Sequence, residues 1–145
     1  MTALIQRVSR AKVSVGTQTI SGIDQGMLVL LGIRKGDTEE TAQRLATRCT
    51  NLRIFEDSNG KFNLSLKDID GAALVVSQFT LLADTTHGRR PSFTDAEEPG
   101  RSKKLYEFFI QALIACGIST KAGAFGERMK VSLENNGPVT IILEE

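Results

Sequence analysis

Hydrophobic and polar positions alternate from the first residues of the chain. Ile5, Val8, Val13 and Val15 mark strand-like segments, Gly16-Thr17-Gln18-Thr19 has the composition of a turn, and residues 26–33 form an unbroken apolar run suited to a buried strand. Residues 1–35 therefore read as all-β. After Lys35-Gly36-Asp37 the period changes: Ala42, Leu45, Ala46 and Cys49 recur at helical spacing. Asp37, with Glu40 three residues on, has the form of an N-cap and capping box, which predicts a helix of about 12–14 residues.

Leu52-Arg53-Ile54-Phe55 and Asp57-Ser58-Asn59-Gly60 predict a short strand and a turn, and residues 72–79 a second buried strand. Residues 83–100 show no periodicity, and a loop of that length in a compact domain is usually functional or disordered. The clearest helix follows, with Leu105, Phe108, Phe109, Ala112, Leu113 and Cys116 on one face and Gly117 at its C-terminal cap. The chain closes with strand-like runs at 129–133 and 139–143. The pattern predicts one α+β domain over residues 1–145, with two main helices packed on antiparallel strands.

Asn135-Asn136-Gly137-Pro138 falls between the last two runs. Pro138 has no N–H for a ladder, fixes φ and permits a cis bond, while Gly137 reaches backbone conformations closed to other residues. A proline between strands marks a bulge or an interruption. Here it sets a kink with bare carbonyls where a sheet should be continuous, an odd construction for stability alone.

Composition narrows the chemistry. With 145 residues and 41% hydrophobic content the chain can bury a real core. It has no apolar run long enough for a membrane span, and the start lacks the h-region of a signal peptide. Cys49 and Cys116 lie far apart on apolar helix faces, the pattern of reduced core thiols in a cytoplasmic protein. No His/Cys cluster has metal-ligand spacing, and no glycine-rich stretch matches a phosphate loop. The net charge of +1 neither demands nor excludes a nucleic-acid partner. Small basic groups (Arg7, Arg10 and Lys12; Arg89 and Arg90; Arg101, Lys103 and Lys104; Arg128 and Lys130) are solvated surface unless the fold makes them converge.

Ser77-Gln78-Phe79-Thr80 lies where the second buried strand empties into the long loop. The segment is either the end of an alternating strand or a site, with a hydroxyl as nucleophile and main-chain N–H groups to hold an oxyanion. The single histidine, His87, stands beside Arg89 and Arg90 in that loop, and cationic neighbours favour its neutral form. Asp84, Asp95, Glu97 and Glu98 are candidate carboxylates in the same loop. Phe125, in Lys121-Ala122-Gly123-Ala124-Phe125-Gly126, is either core or a platform on which a base stacks. No obvious general base emerges, so an enzyme built this way needs a substrate that is already activated.

The chain resembles the D-aminoacyl-tRNA deacylases almost from end to end. The resemblance rests on Gln6-Arg7-Val8, on the stretch from Leu52 to Asp57, and on Val75-Val76-Ser77-Gln78-Phe79-Thr80-Leu81. Gly88-Arg89-Arg90-Pro91-Ser92-Phe93, Met129-Lys130-Val131 and Asn136-Gly137-Pro138-Val139-Thr140 complete it. Leu82 departs from a commonly aromatic position and Glu127 from a commonly small one. The resemblance implies a cytoplasmic homodimer of β-barrel-like subunits that edits tRNA without metal or cofactor, and without membrane or DNA partners. The reaction implied is hydrolysis of the ester between a D-amino acid, or mischarged glycine, and the 3′-terminal adenosine. It further implies that Gly137-Pro138 is cis, enters the partner's site and excludes L side chains, and that Ser77, Gln78, Phe79 and Thr80 line the ester pocket. Phe125 and Met129 then lie near the adenosine or shape the pocket wall, and Arg7 steadies the Gly-Pro loop. An aminoacyl ester is reactive and its 2′-hydroxyl can assist water, so RNA-assisted hydrolysis is expected. Thr80 as nucleophile and a non-catalytic RNA-binding dimer are the alternatives.

Overall fold

The alternating pattern of the first 35 residues becomes three strands in the computed structural model of the chain, which describes residues 1–145: β1 (Thr2–Val15), β2 (Gln18–Ile23) and β3 (Gly26–Gly32). Helix α1 (Glu39–Asn51) follows, then the small hairpin β4 (Phe55–Glu56) and β5 (Phe62–Leu64). Strand β6 (Ala72–Ser77) runs into a 3₁₀ turn at Phe79–Leu82. Helix α2 (Pro99–Ala115), β7 (Ser119–Ala122) and the long β8 (Met129–Glu144) complete the chain.

The main sheet runs β2-β1-β3-β6-β7, with β8 on the free side of β1. Strand β1 is long enough to pair with β3 through its first half and β2 through its second, while β8 follows it along both. Ser21 Oγ donates to Ala122 O at 2.6 Å, linking β2 back to β7. The sheet thus curls into a nearly closed barrel. The β3–β6 and β6–β7 pairs are parallel, so the sheet is mixed rather than antiparallel as the pattern predicts. The reason is the helices: α1 and α2 each return the chain to the same end of the sheet, which makes the next strand run parallel.

Burial explains why β3 and β6 read as unbroken apolar runs. Met27, Val29, Leu31, Ala73 and Val75 face the helices, where they pack with Leu45, Cys49, Phe109 and Leu113. The alternate residues Leu28, Leu74 and Val76 face the barrel interior with Val8, Ala11, Val13 and Ile23. Strands covered on both faces lose the polar half of the alternation. No helix is long and apolar enough to cross a membrane.

The cap of α1 shifts by one residue from the expected Asp37. Thr38 caps the helix: Thr41 N donates to its Oγ1 at 3.2 Å, and Thr38 N donates to Thr41 Oγ1 at 3.4 Å. Asp37 is engaged elsewhere, accepting from the Met1 ammonium and from Arg34 N, each at 2.7 Å. A buried ammonium partner outbids the helix end for the carboxylate. Gly117 ends α2 as expected, at φ 87°, with Ile118 N closing onto Leu113 O at 3.1 Å. The expected strand at 72–79 stops at Ser77. Strand β7, too short and polar to stand out, is an addition to the pattern.

Gly26 makes the closest approach in the sheet: a Cβ there would sit 1.9 Å from Ala72 O and 2.8 Å from Ala72 N. Neither backbone can move without breaking the parallel pairing that begins at this residue pair. Gly26→Ala is therefore expected to lower unfolding free energy by about 3 kcal/mol, measured as the midpoint shift in urea denaturation.

Candidate active site

The end of β6 sets the first half of the site. Gln78 N donates to Leu31 O at 2.8 Å, the last ladder bond between β6 and β3, before the backbone turns. Leu81 N donates to Gln78 O and Ala83 N to Thr80 O, both at 3.2 Å. The first N–H groups of a helical turn have no partner inside it. In this turn those belong to Phe79 and Thr80, since the Gln78 N–H is already spent on Leu31.

Ser77 and Gln78 are half-buried; Phe79 and Thr80 are exposed. Phe79 is 54% exposed although it meets Phe93 edge-on, with ring centroids 5.0 Å apart. Thr80 Oγ1 accepts a hydrogen bond from Gln78 Nε2. A donor against that oxygen withdraws electron density, the opposite of what a general base does for a nucleophile. His87 is occupied within its own loop: Thr86 Oγ1 donates to Asp84 Oδ1 at 2.6 Å, which leaves His87 Nδ1, at 2.7 Å, as donor to the same hydroxyl. The Asp84 carboxyl is held below its ordinary range by the Thr86 hydroxyl and N–H. No group of three or more His, Cys, Asp and Glu side chains converges on a point where a metal would sit.

A second segment is drawn to β6 from the far edge. Gly123 N donates to Val75 O at 2.8 Å, and Tyr106 Oη reaches the same carbonyl at 2.8 Å. Burial pushes the Tyr106 hydroxyl up to about 12, so it stays a donor. Phe125 packs on Tyr106 at 5.6 Å between centroids, and Met129 Sδ would lie 2.9 Å from a Cβ at Gly123. Phe125 thus packs with the helix-side core and Met129 with the barrel interior, and neither is seen in contact with residues 77–80. Tyr106 escaped the sequence reading, although a tyrosine on an apolar helix face signals a hydroxyl in need of a partner.

Gly137 and Pro138 do not join residues 77–80. The register between β1 and β8 passes from Gln6↔Thr140 to Val8↔Asn135, which leaves residues 136–139 opposite Arg7 alone. Residues 136–138 are exposed, with the cis Gly137-Pro138 bond among them and Gly137 at φ 136°, while Val139 turns back into the core. Arg7, 6% exposed, fills the gap beneath. Its Nε donates to Asn136 O at 2.8 Å and Nη1 to Ile54 O at 2.7 Å; Nη2 meets Glu56 Oε1 at 3.3 Å, and the guanidinium lies 5.0 Å from the Phe62 ring centre. Strands β1 and β3 separate this bulge from β6, three strand spacings or about 14 Å across the sheet. What were expected to be two strands are one continuous β8 carrying a bulge.

Two measurements follow. Arg7→Lys keeps the charge but cannot span Asn136 O, Ile54 O and Glu56 together, and is expected to cost about 2–3 kcal/mol in denaturant unfolding. Cys49 is buried and its thiol is pushed up to about 12. At pH 8 its reactive thiolate is then present at about 1 part in 10⁴, so iodoacetamide should spare Cys49 in the native protein and modify it after unfolding, as read by peptide mass spectrometry.

The family described as D-Tyr-tRNA(Tyr) deacylase matches residues 4–144. A D-aminoacyl-tRNA deacylase of Shewanella baltica (strain OS185) is 54% identical over 144 residues, covering 99% of both chains. Another, from Aquifex aeolicus (strain VF5), is 51% identical over 144 residues, 99% of this chain and 97% of that one. A solved structure described as a c-Myc DNA Unwinding Element Binding Protein superposes with a TM-score of 0.94 at 40% identity, covering 100% of this chain and 99% of that chain. A probable eukaryotic D-amino acid tRNA deacylase superposes at 0.85 over 100% of both chains, at 17% identity, which is a likeness of fold alone. The chain belongs to the D-Tyr-tRNA(Tyr) deacylase family.

Proposed function

We propose that this member of the deacylase family hydrolyses the ester joining a D-amino acid to the 3′-terminal adenosine of tRNA, with the reacting carbonyl held at residues 77–80. The observation that carries the reading is the turn after β6, where the Phe79 and Thr80 N–H groups have no partner in the turn and the Gln78 N–H is taken by Leu31 O. Water adds to the ester carbonyl, the developing oxyanion is met by those N–H groups, and the tetrahedral species expels the ribose 3′-oxygen. The neighbouring 2′-hydroxyl of the RNA relays the proton to that oxygen. The products are free amino acid and tRNA.

Side chains support the same division of labour. Thr80 Oγ1 accepts from Gln78 Nε2 and is hydrogen-bonded to no general base, which favours a place in the pocket wall over the role of nucleophile. Phe125 and Met129 border the adenosine. In a homodimer, Gly137 and Pro138 of one subunit enter the 77–80 pocket of the other. The support for that is their exposure together with the two strands that keep them from the pocket of their own chain. Their carbonyls accept from the substrate ammonium, and main chain close to Cα leaves no room for an L side chain. Glycine carries nothing to reject, so glycyl-tRNA is cleaved too. The name of the DNA-element binding neighbour favours a different reading, a non-catalytic nucleic-acid-binding dimer. Binding of D-aminoacyl-tRNA without release of amino acid would decide for it.

Single-turnover deacylation tests the mechanism. Thr80→Ala should keep activity within about tenfold, whereas the native protein on tRNA ending in 2′-deoxyadenosine should lose at least about 10²-fold, the scale of a positioned proton relay. Inactive Thr80→Ala together with unimpaired 2′-deoxy cleavage would sink RNA assistance in favour of the Thr80 nucleophile.

A further inference from the structure

Asn135 closes the bulge that carries Gly137 and Pro138. Its Oδ1 accepts from Val139 N at 2.7 Å, and its Nδ2 donates to Val139 O at 3.2 Å and to Thr140 Oγ1 at 3.1 Å. One side-chain amide therefore makes both hydrogen bonds that a neighbouring strand would offer Val139. Opposite, β1 cannot offer them, because Arg7 faces four β8 residues and spends its Nε on Asn136 O. Gln6 Nε2, 3.3 Å from Thr140 Oγ1, orients the hydroxyl that receives Nδ2. The bulge is thus pinned at both feet. Arg7 holds the entering strand at Asn136 and Asn135 holds the leaving strand at Val139, so 136–138 have one path between them.

We propose that Asn135 is a positioning residue for enantiomer selection, fixing where the Gly137 and Pro138 main chain stands while itself touching no substrate. This rests on the reading of Gly137-Pro138 as the element that excludes L side chains. A steric filter rejects only as well as its atoms are held: a loop free to retreat by an ångström admits the side chain it should refuse. Removing the amide strips both Val139 main-chain groups of their partner while leaving the 77–80 turn, across two strands, untouched. Selectivity should therefore fall while chemistry on the correct enantiomer largely survives, a split that general loss of structure does not produce.

The test compares single-turnover rates on D- and L-aminoacyl-tRNA for full-length Asn135→Ala, Asn135→Asp and Pro138→Ala, with the thermal midpoint of each. Asn135→Ala should lower the D/L rate ratio by about tenfold or more, the scale of one to two lost hydrogen bonds, chiefly by raising the L rate. Asn135→Asp keeps an acceptor for Val139 N but sets an anion against Val139 O and Thr140 Oγ1, so its ratio should fall at least as far. It also serves if the alanine variant does not fold. A native ratio in the aspartate variant, or equal losses of both rates in step with a lowered midpoint, overturns the role of Asn135. A ratio changed in Pro138→Ala but not in the Asn135 variants overturns this proposal and leaves the filter standing. An unchanged ratio in Pro138→Ala removes the filter reading itself, and the role of Asn135 with it.

Discussion

Arg7 is a buried cation set in the middle of a strand, and the shape of the last strand follows from where its guanidinium finds acceptors. A buried arginine must have its N–H groups matched or it costs several kcal/mol. A regular β8 would present alternating side chains and ladder groups, none aimed at a guanidinium on β1. The bulge of 136–139 turns the Asn136 carbonyl inward to 2.8 Å from Nε, while Ile54, ahead of the small hairpin, supplies the second carbonyl at 2.7 Å. Glu56, half in solvent, contributes little by charge alone. The cation thus joins three segments distant in sequence and ties the exposed bulge to them through Asn136 O.

The two-sided burial of β3 and β6 sets the other half of the site. Because helices cover one face and the barrel interior the other, neither strand can shift register without exposing one apolar set or burying a void. The end of β6 is correspondingly rigid, and the 3₁₀ turn inherits that rigidity through the Gln78 N–H on Leu31. Main-chain donors on such a turn need no reorganisation when charge develops beside them, which is what makes preorganised N–H groups effective. Open α/β sheets likewise build their ligand sites where parallel strands end beside loops.

Much of this was legible in the chain because the physics was local. Strands β1 and β3, both helices, the Gly117 terminator and the Gly-Pro kink were each announced by periodicity or by a residue with a single conformational use. What escaped depended on pairs distant in sequence. The parallel pairing of β3 with β6 is fixed by helix return, not by the strands' own residues. Asp37 would cap a helix in isolation, but the Met1 ammonium claims it. The Gln78 N–H is held by Leu31 O across the sheet, and the Asn135 amide stands in for a missing strand at Val139. Val139 alone hints at the last case, since an apolar residue just after a kink needs its polar main chain satisfied somewhere.

The proposed reading separates two tasks that enzymes often load onto the same side chains. Chirality is a property of Cα, and main chain held against Cα can read it without contacting anything further out. A filter of this kind is indifferent to the side chain of a D residue, since that side chain points away. Specificity for one amino acid would instead require a lined pocket, and each polar group in it would penalise substrates that failed to match. Chemistry can then be left to groups that every aminoacyl-tRNA brings, an activated ester and a vicinal hydroxyl, with the protein contributing position and two N–H groups. The same logic sets the limit of the device: glycine has no side chain to exclude, so a filter acting on sterics alone must pass it, and any protection of correctly charged glycyl-tRNA has to come from outside this site.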